Sequence, residues 1–195
     1  MPRIAAPTIA EHVRNQTGRV LDAAGRLFRE RGLYGTDMGA IATAVGLARN
    51  SLYRYYPDKA HLFIACMRHD MEPVLGRVRA LEDTHPEARV RIDAWIDTLI
   101  DAAGSPAHAT MGMISEIRTG APELRQQLLQ LHQAPNDVLE RAVRTVLAGT
   151  RRDPVPVATM IAGMVHQGAG RVIRRGSRIA VKRELKSAVA RLLGS

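Results

Sequence analysis

Apolar residues recur every three or four positions along most of the chain, which is the spacing of one face of an α-helix. No useful stretch alternates apolar and polar residues as a half-buried strand would. Thr8 is placed to cap a first helix whose apolar face is Val13, Val20, Leu21, Ala24, Leu27 and Phe28, with Gly32 ending it. Thr36 is expected to cap a short second helix carrying Met38, Ile41, Ala42 and Val45, broken at Gly46. A third runs from about Ala48 to Tyr56. Pro57 and Asp58 stop it, and Asp58 caps a fourth through Leu62, Phe63, Ala65 and Met67.

Later helices open at or near prolines: Pro86, Ser105-Pro106, Gly120-Ala121-Pro122 and Asp153-Pro154. The last runs from about Ile179 to Leu193. Pro135 interrupts the segment that begins at Pro122, but Leu124, Leu128, Leu131, Val138, Ala142 and Val146 keep helical spacing across it. That spacing predicts one kinked, continuous helix in preference to two. The expected fold is all-α with about nine helices.

Composition adds that the apolar load falls on Ala, Leu, Val and Ile, with only 4% aromatics. This suits close helix packing better than a β-sandwich. Cys66 is alone, no secretory signal opens the chain, and no uncharged run spans a bilayer. A soluble cytoplasmic protein is expected. The net charge of +9 is unevenly spread. Residues 1–59 hold nine Lys/Arg against five Asp/Glu, residues 60–150 nine against twelve, and residues 151–195 ten against two. Basic ends around an acidic middle point to a polyanionic partner, though not to a sequence in it.

The strongest local signal lies in the first third. Three short helices with a glycine turn between the second and third form a helix-turn-helix arrangement. Gly46 permits the tight turn, Leu47 plugs the angle, and Ile41, Ala42, Val45 and Leu52 supply a small core. The third helix would expose Arg49, Asn50, Ser51, Tyr53, Arg54 and Tyr55, the donors and acceptors that base edges and phosphates need.

The ordered series Val20-Leu21-Asp22-Ala23-Ala24, Leu27 through Thr36, Ile41-Ala42, Val45-Gly46-Leu47 and Ser51 through Lys59 resembles the TetR family of bacterial regulators over about fifty residues. The resemblance implies that Thr36 contacts phosphate through its hydroxyl and backbone N–H. It places Arg49, Asn50, Ser51 and Arg54 in or beside the major groove, and Tyr53 and Lys59 on the DNA backbone. Ala48, Asn50 and Gly39 depart from the family's usual residues. The implied division is a DNA-binding domain at residues 1–60 and a helical effector-binding and dimerisation domain at residues 61–195.

For that second domain the resemblance implies a homodimer built on the last two helices, where Met160, Ile161, Met164, Val165, Gly168 and Val172 form a stripe. Gly163, Gly168 and Gly170 would let another helix approach. It also implies a mainly apolar effector pocket between the central helices. Candidate lining residues are Met67, Met71, Leu75, Trp95, Leu99, Met111, Ile114, Leu128 and Leu131, with Glu116 and His132 as polar anchors. The basic run Arg171, Arg174, Arg175, Arg178, Lys182, Arg183 and Lys186 reads as a solvated face, an acidic-ligand site or a second DNA surface.

The expected function is therefore a dimeric repressor released from a palindromic operator by a small molecule, with no cofactor, metal or catalytic residues. Two alternatives stand beside it. One is a DNA-binding regulator governed by a protein partner or by no effector. The other is a helical enzyme or metal module, which lacks the phosphate-loop, dinucleotide or metalloprotease spacing it would need. His61 and His69 are eight residues apart, and His108 and His132 have no partners at helical spacing.

Overall fold

The computed structural model describes residues 9–113, 122–174 and 176–194. Among them are ten helices and no strand: α1 (Ile9–Arg31), α2 (Met38–Ala44), α3 (Arg49–Tyr55), α4 (Lys59–Thr84), α5 (Ala88–Asp101), α6 (Pro106–Gly112), α7 (Pro122–Gln133), α8 (Asn136–Val146), α9 (Pro154–Ile173) and α10 (Arg178–Leu193). The expected cap Thr8 lies outside the described residues, as do Gly120 and Ala121. Asp58 caps α4 as expected, and Ser105 and Asp153, where two later helices open, likewise accept a first-turn backbone N–H. Such caps satisfy donors that have no partner inside the helix.

The apolar residues sort into two cores. The first gathers α1 to α3, the first half of α4, and α6 and α7, around Phe28, Ile41, Leu52, Leu62, Phe63 and Met67. Phe28 and Phe63 meet edge to face with centroids 5.1 Å apart, adding about 0.5–1.5 kcal/mol beyond the area they bury. The second gathers the end of α4 with α5, α8, α9 and α10, around Trp95, Ile96, Ile100, Leu139 and Ile161. Helix α4 serves both, and half-buried Leu99 packs against each.

The expectation of one kinked helix across Pro135 is wrong. The helix stops at Gln133 and a new one begins at Asn136, raising the count from about nine to ten among the described residues. Proline has no N–H for the ladder and its ring crowds the carbonyl four residues back. The two halves also bury different faces: Leu124, Leu128 and Leu131 enter the first core, whereas Val138, Leu139, Ala142 and Val143 enter the second. Trp95 pins the corner by donating its indole N–H to the Pro135 carbonyl at 2.6 Å.

The basic run near the C-terminus clasps α10 to α5. Lys182 pairs with Asp101 at 2.7 Å, Lys186 with Asp97 at 2.6 Å, and Arg178 donates to the Ala103 carbonyl at 2.9 Å. Partly exposed pairs of this kind contribute about 0–1 kcal/mol each, so they orient the helix more than they stabilise it. Arg171, Arg174 and Arg183 remain exposed, and Arg175 lies outside the described residues. Gly168 does admit a close helix, but that helix is α10 of the same chain. A β-carbon there would sit 2.9 Å from the Leu185 side chain. Gly163 has open space around it.

Candidate nucleic-acid interface

Local chemistry builds the reading head in three steps. Gly32 ends α1 in the left-handed region at φ 71°, which glycine adopts without the Cβ penalty. Gly35 then passes so near α1 that a β-carbon would lie 2.2 Å from the Arg31 carbonyl oxygen. The chain turns into α2 at Asp37, whose carboxylate accepts from the backbone N–H groups of Gly39 and Ala40 at 2.7 and 3.0 Å. Those two bonds, from Ala40 first and then Gly39, hold the Asp37 carboxyl below its ordinary value.

Thr36 was expected both to cap α2 and to offer its hydroxyl to phosphate; it does not cap α2, and its hydroxyl is turned inward. It is 1% exposed. Its hydroxyl faces the end of α1, 2.9 Å from the Gly32 carbonyl and 3.1 Å from that of Leu27. The capping role has moved one residue along, to Asp37. Gly39, which looked like a weakness in the helix, has a local reason: a β-carbon there would be 2.9 Å from the capping Asp37 oxygen.

Gly46, at φ 71°, joins α2 to α3. Ala48 begins α3 without a side-chain cap. Leu52 is fully buried against Ile41, Ala42 and Val45, which turns the opposite face of α3 outward. Arg49, Asn50, Tyr53, Arg54 and Tyr55 are exposed there, and Ser51 is half-buried. The Arg49 guanidinium lies 5.7 Å from the centre of the Tyr53 ring and 3.4 Å from its hydroxyl. This contact orders a long cation that would otherwise sample many rotamers. Lys59 donates to the Thr36 carbonyl at 3.0 Å and lies over the Tyr34 ring at 5.8 Å. It tethers α4 to the loop that precedes α2.

Among the described residues, those expected to line an effector pocket divide between the two cores. Met67, Met71, Leu75, Leu128 and Leu131 belong to the first core, Trp95 to the second, and Leu99 touches both. Met67 is 0% exposed and Trp95 1%, so neither borders a void that would admit water. His132 is exposed at the end of α7. The Met111 side chain, Ile114 and Glu116 lie outside the described residues.

Two concave regions were not anticipated. An open groove of about 730 Å³ runs between α9 and α10 along Met164, Gly168, Val181 and Leu185. A smaller hollow of about 210 Å³ lies where the end of α3 meets α4 and α7. Both depend on helices brought together from distant parts of the chain, which sequence spacing does not encode. No helix of the described residues is long and apolar enough to cross a membrane. No group of three or more His, Cys, Asp or Glu among them is placed to hold a metal ion.

Residues 20–66 match the model of the family described as bacterial regulatory proteins, tetR family. The HTH-type transcriptional repressor AcnR of Corynebacterium diphtheriae is 29% identical over 147 residues, covering 71% of this chain and 69% of that protein. Further curated relatives align over about half of their own length. Among solved structures, a transcriptional regulator from Pseudomonas aeruginosa PAO1 matches with a TM-score of 0.81 at 13% identity, covering 94% of this chain and 92% of that one. The regulator FadR from Bacillus subtilis, in complex with stearoyl-CoA, matches at 0.73 and 17% identity, covering 88% and 96%. At these identities the structural likeness establishes the fold.

Proposed function

We propose that this chain, whose residues 20–66 match the tetR family model, is a dimeric repressor of that kind that reads a palindromic operator through α3. A regulator of this class is not an enzyme. The observation that carries the proposal is the outward face of α3, where Arg49, Asn50, Tyr53 and Arg54 stand together on a helix whose other side is locked by Leu52. A single helix fits the major groove, about 12 Å wide, and these side chains offer bidentate donors and amide groups to base edges. Ser51 and Tyr55 lie at the margins of that contact. Lys59 commits one of its three N–H donors to Thr36, leaving two for a phosphate. Thr36 supports this surface from inside and contributes no hydroxyl to it.

Dimerisation falls to α9 and α10, in the effector and dimer unit of residues 61–195; residues 1–60 form the reading unit. The groove between the two helices is apolar, and Met160 and Ile179 beside it are half and four-fifths exposed. Exposed apolar surface of this kind marks a protein contact, and a two-fold pair would set two copies of α3 on successive half-sites about 34 Å apart.

A small apolar effector would release the operator by favouring one spacing of the two reading heads. The stearoyl-CoA bound to the FadR neighbour supports this. A second reading, control by a protein partner or by no effector, is favoured by the closed packing at Met67 and Trp95. Operator binding by the purified chain, measured with and without long-chain acyl-CoA, separates the two. Release on addition favours the effector reading, and binding insensitive to every acyl ligand favours the second. A monomer at micromolar concentration by light scattering would refute the dimer.

A further inference from the structure

The hollow between α3, α4 and α7 has the makings of a ligand site distinct from the central core. Its floor is apolar, formed by Ile64 and Leu124, each 2% exposed. Tyr55 and Tyr56 give it an aromatic wall where α3 ends. Burial holds the Tyr56 phenol above its usual value, so it stays a protonated donor. Arg68 stands at the rim and donates to the Gln127 side chain of α7 at 3.2 Å.

Arg68 is the feature that selects a ligand. A guanidinium has five N–H donors in a planar fork suited to a carboxylate. Among the described residues no carboxylate lies within ion-pair distance of it, and none lines the hollow. His61, also at the wall, already has its Nδ1 against Asp58 at 2.9 Å. The volume sets the size. The hollow is open to solvent on one side, and its volume of about 210 Å³ has room for a single substituted ring.

We propose that this hollow binds a small aromatic monocarboxylate, its ring against Tyr55, Tyr56 and Leu124 and its carboxylate on Arg68. Such a ligand touches the last residues of α3 and the first turn of α7 together. It therefore ties the reading helix to the body of the protein and alters the freedom α3 has to settle in a groove. This consequence for DNA rests on reading α3 as the DNA-contacting helix; the site itself does not.

The test is a titration of the full chain with benzoate by calorimetry, with benzamide as the neutral counterpart. Benzoate should bind, benzamide at least tenfold more weakly, and Arg68→Gln should weaken benzoate at least tenfold with the melting temperature unchanged. If Arg68→Gln does not fold, Ala65→Met, which fills the hollow beside Ile64, must abolish the binding instead. Absence of benzoate binding at millimolar concentration, equal binding of benzamide, or full benzoate binding by both variants would overturn the proposal. Operator affinity is measured on the same samples. A chain that binds its operator but not benzoate defeats only the site, and one that binds benzoate but no DNA defeats only the reading of α3.

Discussion

Replacing Thr36 by valine separates an internal role for this residue from a DNA contact. The two side chains have nearly the same shape, so the change removes a hydroxyl and leaves the volume. In the folded chain that hydroxyl is 2.9 Å from the Gly32 carbonyl and 3.1 Å from the Leu27 carbonyl, in a residue 1% exposed. The Leu27 carbonyl lies within α1 and keeps its helical partner, whereas Gly32 is past the helix end and loses its own. The Gly32 bond is only part-buried, so water can reach the stranded carbonyl and the loss falls at the low end of the range for a broken hydrogen bond, about 1 kcal/mol. For a chain of this length that lowers the melting temperature by about 2–4 °C. Thr36→Ser keeps the donor and should recover most of the loss. The assay is thermal unfolding by circular dichroism, with operator affinity measured well below the melting temperature of every variant. A valine variant that melts with the wild type but loses operator binding would refute the reasoning and return Thr36 to the DNA surface.

Further outcomes follow from the same contacts. Gly35→Ala should destabilise by about 1–3 kcal/mol, the usual range for overpacking, because the added carbon meets the Arg31 carbonyl oxygen at 2.2 Å. Gly18→Ala, within α1 and with nothing inside 4 Å, should stabilise by up to about 1 kcal/mol; thermal scans of both check the pair. Burial raises the Asp93 carboxyl above its ordinary value of 3.8, against the pull of Lys186 and helped by Asp97. The native state thus holds that proton more tightly than the unfolded chain, and the stability this gives is complete below 3.8 and lost as pH rises through the native value. Asp93→Asn should therefore melt above the wild type at pH 7 and alongside it at pH 3, and a gap equal at both pH values would contradict this.

The reading head was legible because its determinants are local. Gly46, Leu47 and Leu52 sit within seven residues of one another, and together they dictate which side of α3 is left exposed. Where two neighbours compete for a role, sequence could not decide. Thr36 and Asp37 are both good capping residues, and only the close passage of Gly35 beside α1 turns Thr36 inward. The continuous helix predicted across Pro135 failed because apolar spacing records which positions are buried but not in which core. Leu131 and Val138 keep helical register while packing into different clusters.

The C-terminal basic run shows the same limit at longer range. Lys182 and Lys186 look solvated until Asp101 and Asp97, 81 and 89 residues away, are placed opposite them. Met67, Met71 and Trp95 read as one group because they share hydrophobicity, yet they divide between two packed interiors. Grooves and hollows arise between helices, and no single segment carries their signature.

The central claim is that the exposed face of α3 recognises DNA sequence. It is tested most directly by selecting duplexes from a random pool with the full chain, then comparing wild type and Arg54→Ala on the enriched site across a salt series. The account predicts an enriched site with two-fold symmetry, and a loss of about tenfold or more for Arg54→Ala, as expected for a lost base or phosphate contact of about 1–3 kcal/mol. Selection that enriches no sequence, or a folded Arg54→Ala that binds the site as tightly as the wild type, would contradict it.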